Sequence, residues 1–328
     1  MHKFLIRRFI FALIIVFFGT FIVYFVMRMV PVTFVEQMAR ELSSQPNAKP
    51  YQEYLDQLNK MYGLDKGIVP GFLFWASNAI RGNFGDSWAW TSPVVDVFKS
   101  VIWLSVIMSS FAMVFEVLTA IPLGILAARK QYSVTDYGVT VFALVGISLP
   151  SFFFASLLRY FFAVKLNLFE VYGLTSRYYP FYDAWGQFWD KAWHLVLPIA
   201  TLMVMSIGGL MRYTRTNMLE VLNSDYIRTA RAKGLTEKAV INKHAFRNTL
   251  IPLVTFFSYL LPSFFGGAMI TEQIFGVRGI GYTAYNSLVR GDIPFTMFYM
   301  AFLIVLTQVS LIIADMMYAV ADPRVRIN

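Results

Sequence analysis

The sequence has 328 residues, of which 57% are hydrophobic and 14% charged; the formal net charge is +9 and there is no cysteine. Soluble domains are about a quarter charged, so this composition, with a mean hydropathy of +0.57, excludes an ordinary soluble protein. The 32 Phe, 18 Tyr and 7 Trp exclude a disordered one, and the missing cysteine excludes disulfides, thiolate metal sites and a cysteine nucleophile.

Crossing a bilayer takes about 20 apolar residues. Six stretches qualify: Phe9–Val30, Val101–Ala128, Val139–Val164, Leu195–Met211, Leu250–Ile270 and Pro294–Val320. The expected fold is therefore an all-α membrane protein with six transmembrane helices. The first stretch is longer than the core of a cleaved signal, and Met27-Arg28-Met29 offers no small-residue cleavage site, so it is expected to stay as an anchor. The chain divides into residues 1–30, with the tail and first span, an extracytoplasmic region 31–100, and a five-helix core 101–328 that carries an internal loop at 212–249.

The charges set the orientation. Lys3, Arg7 and Arg8 precede the first span, Arg129 and Lys130 follow the second, and Arg324 and Arg326 end the chain. Arg212–Arg247 holds eight Lys/Arg against Glu220, Asp225 and Glu237, whereas Pro31–Ser100 has six basic and seven acidic residues. Lys165–Lys191 and Glu272–Asp292 are balanced. The bias alternates along the chain, and the positive-inside rule places both termini in the cytoplasm. Topology accounts for the basic charge, so nucleic-acid binding has no place in the reading.

Catalytic signatures are missing. No glycine is followed by lysine, so the chain has no P-loop, and neither H-E-x-x-H nor G-x-S-x-G occurs. His2, His194 and His244 lie far apart, and no metal site is expected.

The internal segment from Leu222 to Pro252 is more informative. Ser224 suits an N-cap, Asp225 the positive end of a helix dipole and Gly234 a C′ position, which predicts a short helix over about Asp225–Lys233. Thr236 is placed to cap a second helix. Tyr226 and Ala230, four apart, are expected to share a face, and the small Ala230 and Ala232 would let a partner approach. A docking knob and a solvated basic loop are both compatible with these residues.

Within the second span, Glu116 costs about 2.5–3.5 kcal/mol on insertion scales, so it should face a cavity or a partner. It is either a polar group on a solute path or a buried hydrogen bond to a neighbouring helix. Arg159 and Asp315 lie nearer the membrane edges, where snorkelling or an interhelical pair accounts for them. Pro150, Pro198 and Pro262 are expected to interrupt spans and free backbone carbonyls. Trp75, Trp88 and Trp90 suit either an exposed protein interface or an interfacial aromatic belt.

Arg228-Thr-Ala-x-x-x-Gly234 resembles the EAA motif of ABC-importer permeases. Its flanks, Asp225-Tyr-Ile-Arg-Thr-Ala-Arg-Ala-Lys-Gly-Leu and His244-Ala-Phe-Arg-Asn, resemble the first permease subunit of oligopeptide/dipeptide importers. Phe4-Leu-Ile-Arg-Arg-Phe, Gly82-Asn-Phe-Gly-Asp-Ser, Pro93-Val, Ile121-Pro-Leu-Gly, Ser148-Leu-Pro-Ser-Phe, Ile274-Phe-Gly, Gly279-Ile-Gly and Asp322-Pro-Arg extend the likeness over nearly the whole chain. Arg228 and Thr229 stand at the motif's acidic and first alanine positions, and Arg247 at its proline, as in the peptide branch; Pro31-Val-Thr-Phe departs from the usual Pro-Gly-Asp-Pro.

The resemblance implies a type I importer permease in a bacterial or archaeal cytoplasmic membrane, without catalytic residues or a bound cofactor. Its partners would be a second permease, two ATPase subunits that use ATP and Mg, and an external solute-binding protein delivering oligopeptides or dipeptides, with lipid around the spans. It makes Asp225, Tyr226, Arg228, Thr229, Ala230, Ala232 and Gly234 the ATPase-coupling residues. It also draws Pro150 and Pro262 to the translocation path, since the third and fifth spans line the path in related importers; Glu116, in the second span, joins them there only through its insertion cost. Nickel chelates, glutathione or another small solute would fit the same class. An ion-coupled secondary transporter is the alternative of another class, although it predicts paired half-repeats that the sequence does not display.

Overall fold

The computed structural model describes residues 2–29, 34–46, 48–61 and 63–321. The family-like Asp322-Pro-Arg and the departing stretch from Pro31 lie largely or wholly outside them. The chain is mostly helical. In order it forms α1 (His2–Arg28), α2 (Phe34–Ser43), α3 (Tyr51–Met61), α4 (Ile68–Ile80), a hairpin of β1 (Asp86–Ser87) and β2 (Ser92–Pro93), α5 (Val94–Arg129), α6 (Val134–Ser148) and α7 (Ser151–Leu158). A π-helical turn, Arg159–Lys165, ends α7. There follow α8 (Ala184–Leu222), α9 (Asp225–Ala232), α10 (Glu237–Ala239), a second π-helical turn (Val240–Ala245), α11 (Phe246–Tyr259), α12 (Leu261–Gly266), α13 (Met269–Phe275), α14 (Ile280–Val289) and α15 (Ile293–Ala321).

Among the described residues four helices are long and apolar enough to cross a membrane: Ile6–Arg28, Val94–Arg129, Ala184–Leu222 and Ile293–Met317. A fifth span results if α6 and α7 with its π turn count as one. Large apolar side chains stand outward along these helices, Ile22 and Trp103 about three-fifths exposed. Apolar helix faces of that kind fit hydrocarbon rather than water.

The structure differs from three span expectations. The third stretch is not one straight span: α6 and the α7 segment meet at 100°. Pro150 is the reason, because its ring drives Leu149 out of the helical region, to φ −79° and ψ 132°, and α7 starts at Ser151. The fourth stretch is a far longer helix, and Pro198 lies inside unbroken α8 instead of interrupting it. The fifth is divided into α11, α12 and α13, with Pro262 in the first turn of α12 and Gly267 at φ +67°, a conformation L-residues avoid.

The chain forms two compact units, Met1–Trp103 with Thr283–Val309, and Leu104–Tyr282 with Ser310–Asn328. In the first, Tyr24 and Met27 of α1 pack with Val35, Ala39, Leu58, Phe72 and Trp88, and with Ile293 and Met297. Trp88 is buried here and Trp75 and Trp90 are half-buried, so the three tryptophans serve internal packing rather than an exposed interface. The Trp90 indole N–H donates to the Ser287 hydroxyl at 2.9 Å.

In the second unit α6 and α8 lie close together because of a small residue. A Cβ at Gly208 of α8 would strike the Ala143 backbone of α6. One charged pair also fixes α6 on α8. Arg215 grips Asp136 with two parallel bonds of 2.6 and 2.8 Å, and the Tyr132 N–H donates to the same carboxylate at 3.0 Å. Asp136 is 3% exposed, so its charge depends on these donors. Asp136→Asn is expected to leave the Arg215 guanidinium without its partner. It should cost about 3 kcal/mol and lower the melting midpoint in detergent by about 5–10 °C, measured by differential scanning fluorimetry.

Candidate coupling surface and membrane cavity

The helix predicted near Asp225 runs from Asp225 to Ala232. Its C-terminal end is a complete Schellman motif: Leu235 N–H reaches the Ala230 carbonyl at 3.4 Å, and Gly234 N–H the Arg231 carbonyl at 3.0 Å. This requires a left-handed residue, and Gly234 supplies it at φ +77°. Nothing lies within 4 Å of where a Cβ on Gly234 would stand, so the glycine faces open space. Thr236 caps α10, its hydroxyl accepting from Ala239 N–H at 3.4 Å. Ser224 stands at the start of α9, but it does not cap with its side chain. Its hydroxyl donates back to the Val221 carbonyl at 2.6 Å.

The face of α9 is not the one that i, i+4 spacing suggested. Ile227 is fully buried and Ala230 7% exposed, both packed on Ala128, Met218, Val240, Ile241 and Ala245. Tyr226, by contrast, is 48% exposed, and Asp225, Arg228, Thr229, Ala232 and Gly234 are exposed with it. Ala230 thus fastens the helix to the chain's own helix ends and is not free to receive a partner. Ile227, which sequence reasoning missed, is the main anchor. Its signal was present in the sequence: it is the only large aliphatic residue in an eight-residue polar helix.

Charge fixes the outer side of this segment. Arg231 holds Glu237 with bonds of 2.8 and 3.2 Å across the Gly234 turn, while Asp225 and Arg228 form an exposed pair at 3.6 Å. Hydrogen bonding from the Arg231 guanidinium keeps the Glu237 carboxyl below its ordinary range. Because that carboxylate titrates lower when folded than unfolded, its contribution is present in full above the unfolded value and is lost as pH falls through the folded one.

The membrane residues fall into a second group. Glu116 is 6% exposed and lines a cavity of about 370 Å³ with Ser109, Ser206, Leu202, Phe256 and Ser263, in hydrogen-bond reach of the Ser206 hydroxyl. Glu116 thus faces a cavity and is linked to a neighbouring helix through Ser206. The break that contains Pro262 borders this cavity through Leu260 and Ser263, but neither Pro262 nor Pro150 is among the residues lining it. Arg159 is held from within, donating to the Ile274 carbonyl at 2.5 Å. Among the described residues no group of His, Asp and Glu is placed to hold a metal ion.

Two buried acids escaped the sequence reading. Glu272 is fully buried and accepts from the Ser105 hydroxyl at 2.7 Å, Tyr282 N–H at 2.7 Å and Ala268 N–H at 3.1 Å. The Ser105 oxygen in turn accepts Ile280 N–H at 2.8 Å. Gly279 is required there, since a Cβ would stand 2.7 Å from the Glu272 carboxyl carbon and collide with the Ser105 oxygen. Asp292, in the other unit, accepts from the Ser87 hydroxyl, from Ala89 N–H at 3.2 Å and from Phe295 N–H at 3.2 Å. Burial pushes its carboxyl above the usual carboxylate range against these bonds.

Residues 120–327 match the family described as binding-protein-dependent transport system inner membrane component. The chain is 36% identical to the oligopeptide transport system permease protein AppB of Bacillus subtilis, over 82% of this chain and 84% of that protein. It is 34% identical to the di/tripeptide transport system permease protein DppB of Pseudomonas aeruginosa, over 99% of each. It is 32% identical to the oligopeptide transport system permease protein OppB of Mycobacterium tuberculosis, over 100% of each. A chain of the methionine ABC transporter MetNI, solved in inward-facing conformations, shares the fold with a TM-score of 0.52 at 16% identity, covering 70% of this chain and 97% of that one. This chain belongs to the binding-protein-dependent transport inner membrane component family. It is a multi-pass inner-membrane permease and a non-catalytic subunit, which decides against the ion-coupled alternative.

Two outcomes follow from these contacts. Gly279→Ala is expected to lower membrane abundance sharply, with Glu272 and Ser105 unable to withdraw from the new methyl group; quantitative immunoblotting reads this. Amide exchange at Leu235 should be slower in the parent protein than in Glu237→Gln at neutral pH. That difference should vanish as pH falls below the ordinary carboxylate range, because Glu237 protonates and releases Arg231.

Proposed function

We propose that this chain is one of two permease subunits of an ATP-driven importer that takes up oligopeptides or dipeptides delivered by an external solute-binding protein. Two ATPase subunits, using ATP and Mg, complete the complex. The names of the relatives supply the substrate class. The alternating basic segments support six crossings and cytoplasmic termini, and the family match and the fold shared with the MetNI chain support a type I permease fold; the broken third and fifth segments would serve as spans backed by protein.

The observation that carries this reading is the build of α9. Its outer side offers Asp225, Tyr226, Arg228, Thr229, Ala232 and Gly234, while its inner side is welded by Ile227 and Ala230 to Ala128 at the end of α5 and Met218 near the end of α8. A partner that seats this helix moves it as part of a packed body, and the motion reaches two long apolar helices without a flexible joint. The exposed residues would contact the ATPase and Ala230 would act from the inner side. Glu116, with Pro150 and Pro262 as the breaks in their helices, belongs to the proposed translocation path.

Gly234→Asp tests this. The new side chain meets open space and costs about 1 kcal/mol of backbone strain, so the protein should insert at normal abundance. Uptake should nevertheless be abolished, because a charged group then stands on the docking surface. Normal ATP-dependent uptake at normal membrane abundance overturns the docking role.

A further inference from the structure

The cavity beside Glu116 has a one-sided chemistry. Among the described residues it is lined by apolar Leu202, Phe256 and Phe264, by the hydroxyls of Ser109, Ser206 and Ser263, and by one carboxylate, with no Lys, Arg or His. Ser206 also places its hydroxyl 3.0 Å from the Leu202 carbonyl and 3.1 Å from that of Met203, so it brings Glu116 a neutral neighbour and no counter-charge. At about 370 Å³ the space suits a small organic solute. An acid held in an apolar helix and turned to such a space is expected to be matched by a cation when the site is in use.

Resting on the importer reading, we propose that this cavity is a cation-attracting station in which Glu116 receives the ammonium group of a passing peptide. A linear peptide carries an amino-terminal ammonium at neutral pH, its α-amino group titrating near about 8. The carboxylate would draw that end in and repel the opposite one. The aromatic and aliphatic walls would accept side chains without regard to identity, and the hydroxyls would meet peptide N–H and C=O groups. Glu116 would in this way orient the solute within the membrane-spanning part of the chain, apart from any selection outside.

The missing cysteine makes a direct test simple, because Ser263→Cys introduces a single thiol at the cavity wall. The assembled transporter, with its partner subunits and binding protein in proteoliposomes, is treated with cationic and anionic methanethiosulfonate reagents of matched size, and the ratio of the two rates is read. In water, unit charges about 6 Å apart alter each rate about threefold. Glu116→Gln should therefore lower the cationic-to-anionic ratio about tenfold, while Ser206→Ala, which keeps the charge, should leave it unchanged. An unchanged ratio in Glu116→Gln means that Glu116 sets no field in the cavity, and that result overturns the proposal, as does a thiol that neither reagent reaches.

ATP-driven uptake of a mixture of alanine di- to pentapeptides is measured on the same vesicles. Their only ammonium is the amino terminus, and Glu116→Gln should slow their uptake several-fold; unaltered uptake overturns the station. Failure of the parent complex to import any of them with ATP speaks against the importer reading instead, and the reagent ratio still reports on the cavity.

Discussion

The cost of placing a polar group in hydrocarbon governs this structure. The middles of the long helices carry almost no charge, and several acids and bases within or beside these helices are held by the chain itself. Asp136 is clasped by Arg215, Arg159 reaches the Ile274 carbonyl, and Glu272 gathers two backbone N–H groups and a hydroxyl. Each bond substitutes for water that the membrane does not supply. The same constraint explains why the broken segments are bordered by polar side chains: where Leu260 and Gly267 end helices, Ser263 and Glu272 lie close by in the chain.

Glu116 departs from that pattern. Its neighbour is a hydroxyl rather than a cation, and it faces a cavity instead of a packed interior. The contrast with Asp136 separates two uses of a buried acid: one is satisfied by its own chain and joins two helices, and in the proposed station the other would be left to a visitor. The short helix α9 shows a comparable division between its sides, with Ile227 and Ala230 committed to the core and Tyr226 and its neighbours presented outward. Together these features fit the proposed subunit, whose energy would come from a partner and whose own chemistry would be limited to guiding a solute.

Much of this was legible in the sequence, for reasons that can be named. The middles of α1 and α15 follow from uncharged runs, although α1 starts earlier than that run, at His2, and takes in Lys3, Arg7 and Arg8; the end of α9 follows from Gly234, since few other residues adopt its backbone conformation. The 100° bend was not legible: Pro150 marked a break, but nothing local distinguishes a kink from a sharp turn between two helices. Pro198 carried the same mark and left α8 intact, because proline's effect depends on whether neighbouring helices hold the segment in place. That Ala230 lies with Ile227 on the inner side while Tyr226 is exposed was not legible, because i, i+4 spacing puts two residues near each other without saying where between them the line from buried to exposed falls. Glu272 and Asp292 were missed because their partners are far apart in sequence, Ser105 and Ser87 among them.

The central claim is that the outer side of α9 seats an ATP-hydrolysing partner while its inner side holds it to the spans. Cross-linking from position 226 tests this most directly, since Tyr226→Cys gives a unique thiol at an exposed site. With a short bifunctional maleimide applied to inverted membrane vesicles, the account predicts one dominant adduct, to an ATP-binding subunit, with a yield that changes when ATP is added. A thiol that forms no such adduct, or that reacts with an impermeant maleimide from outside intact cells, contradicts it.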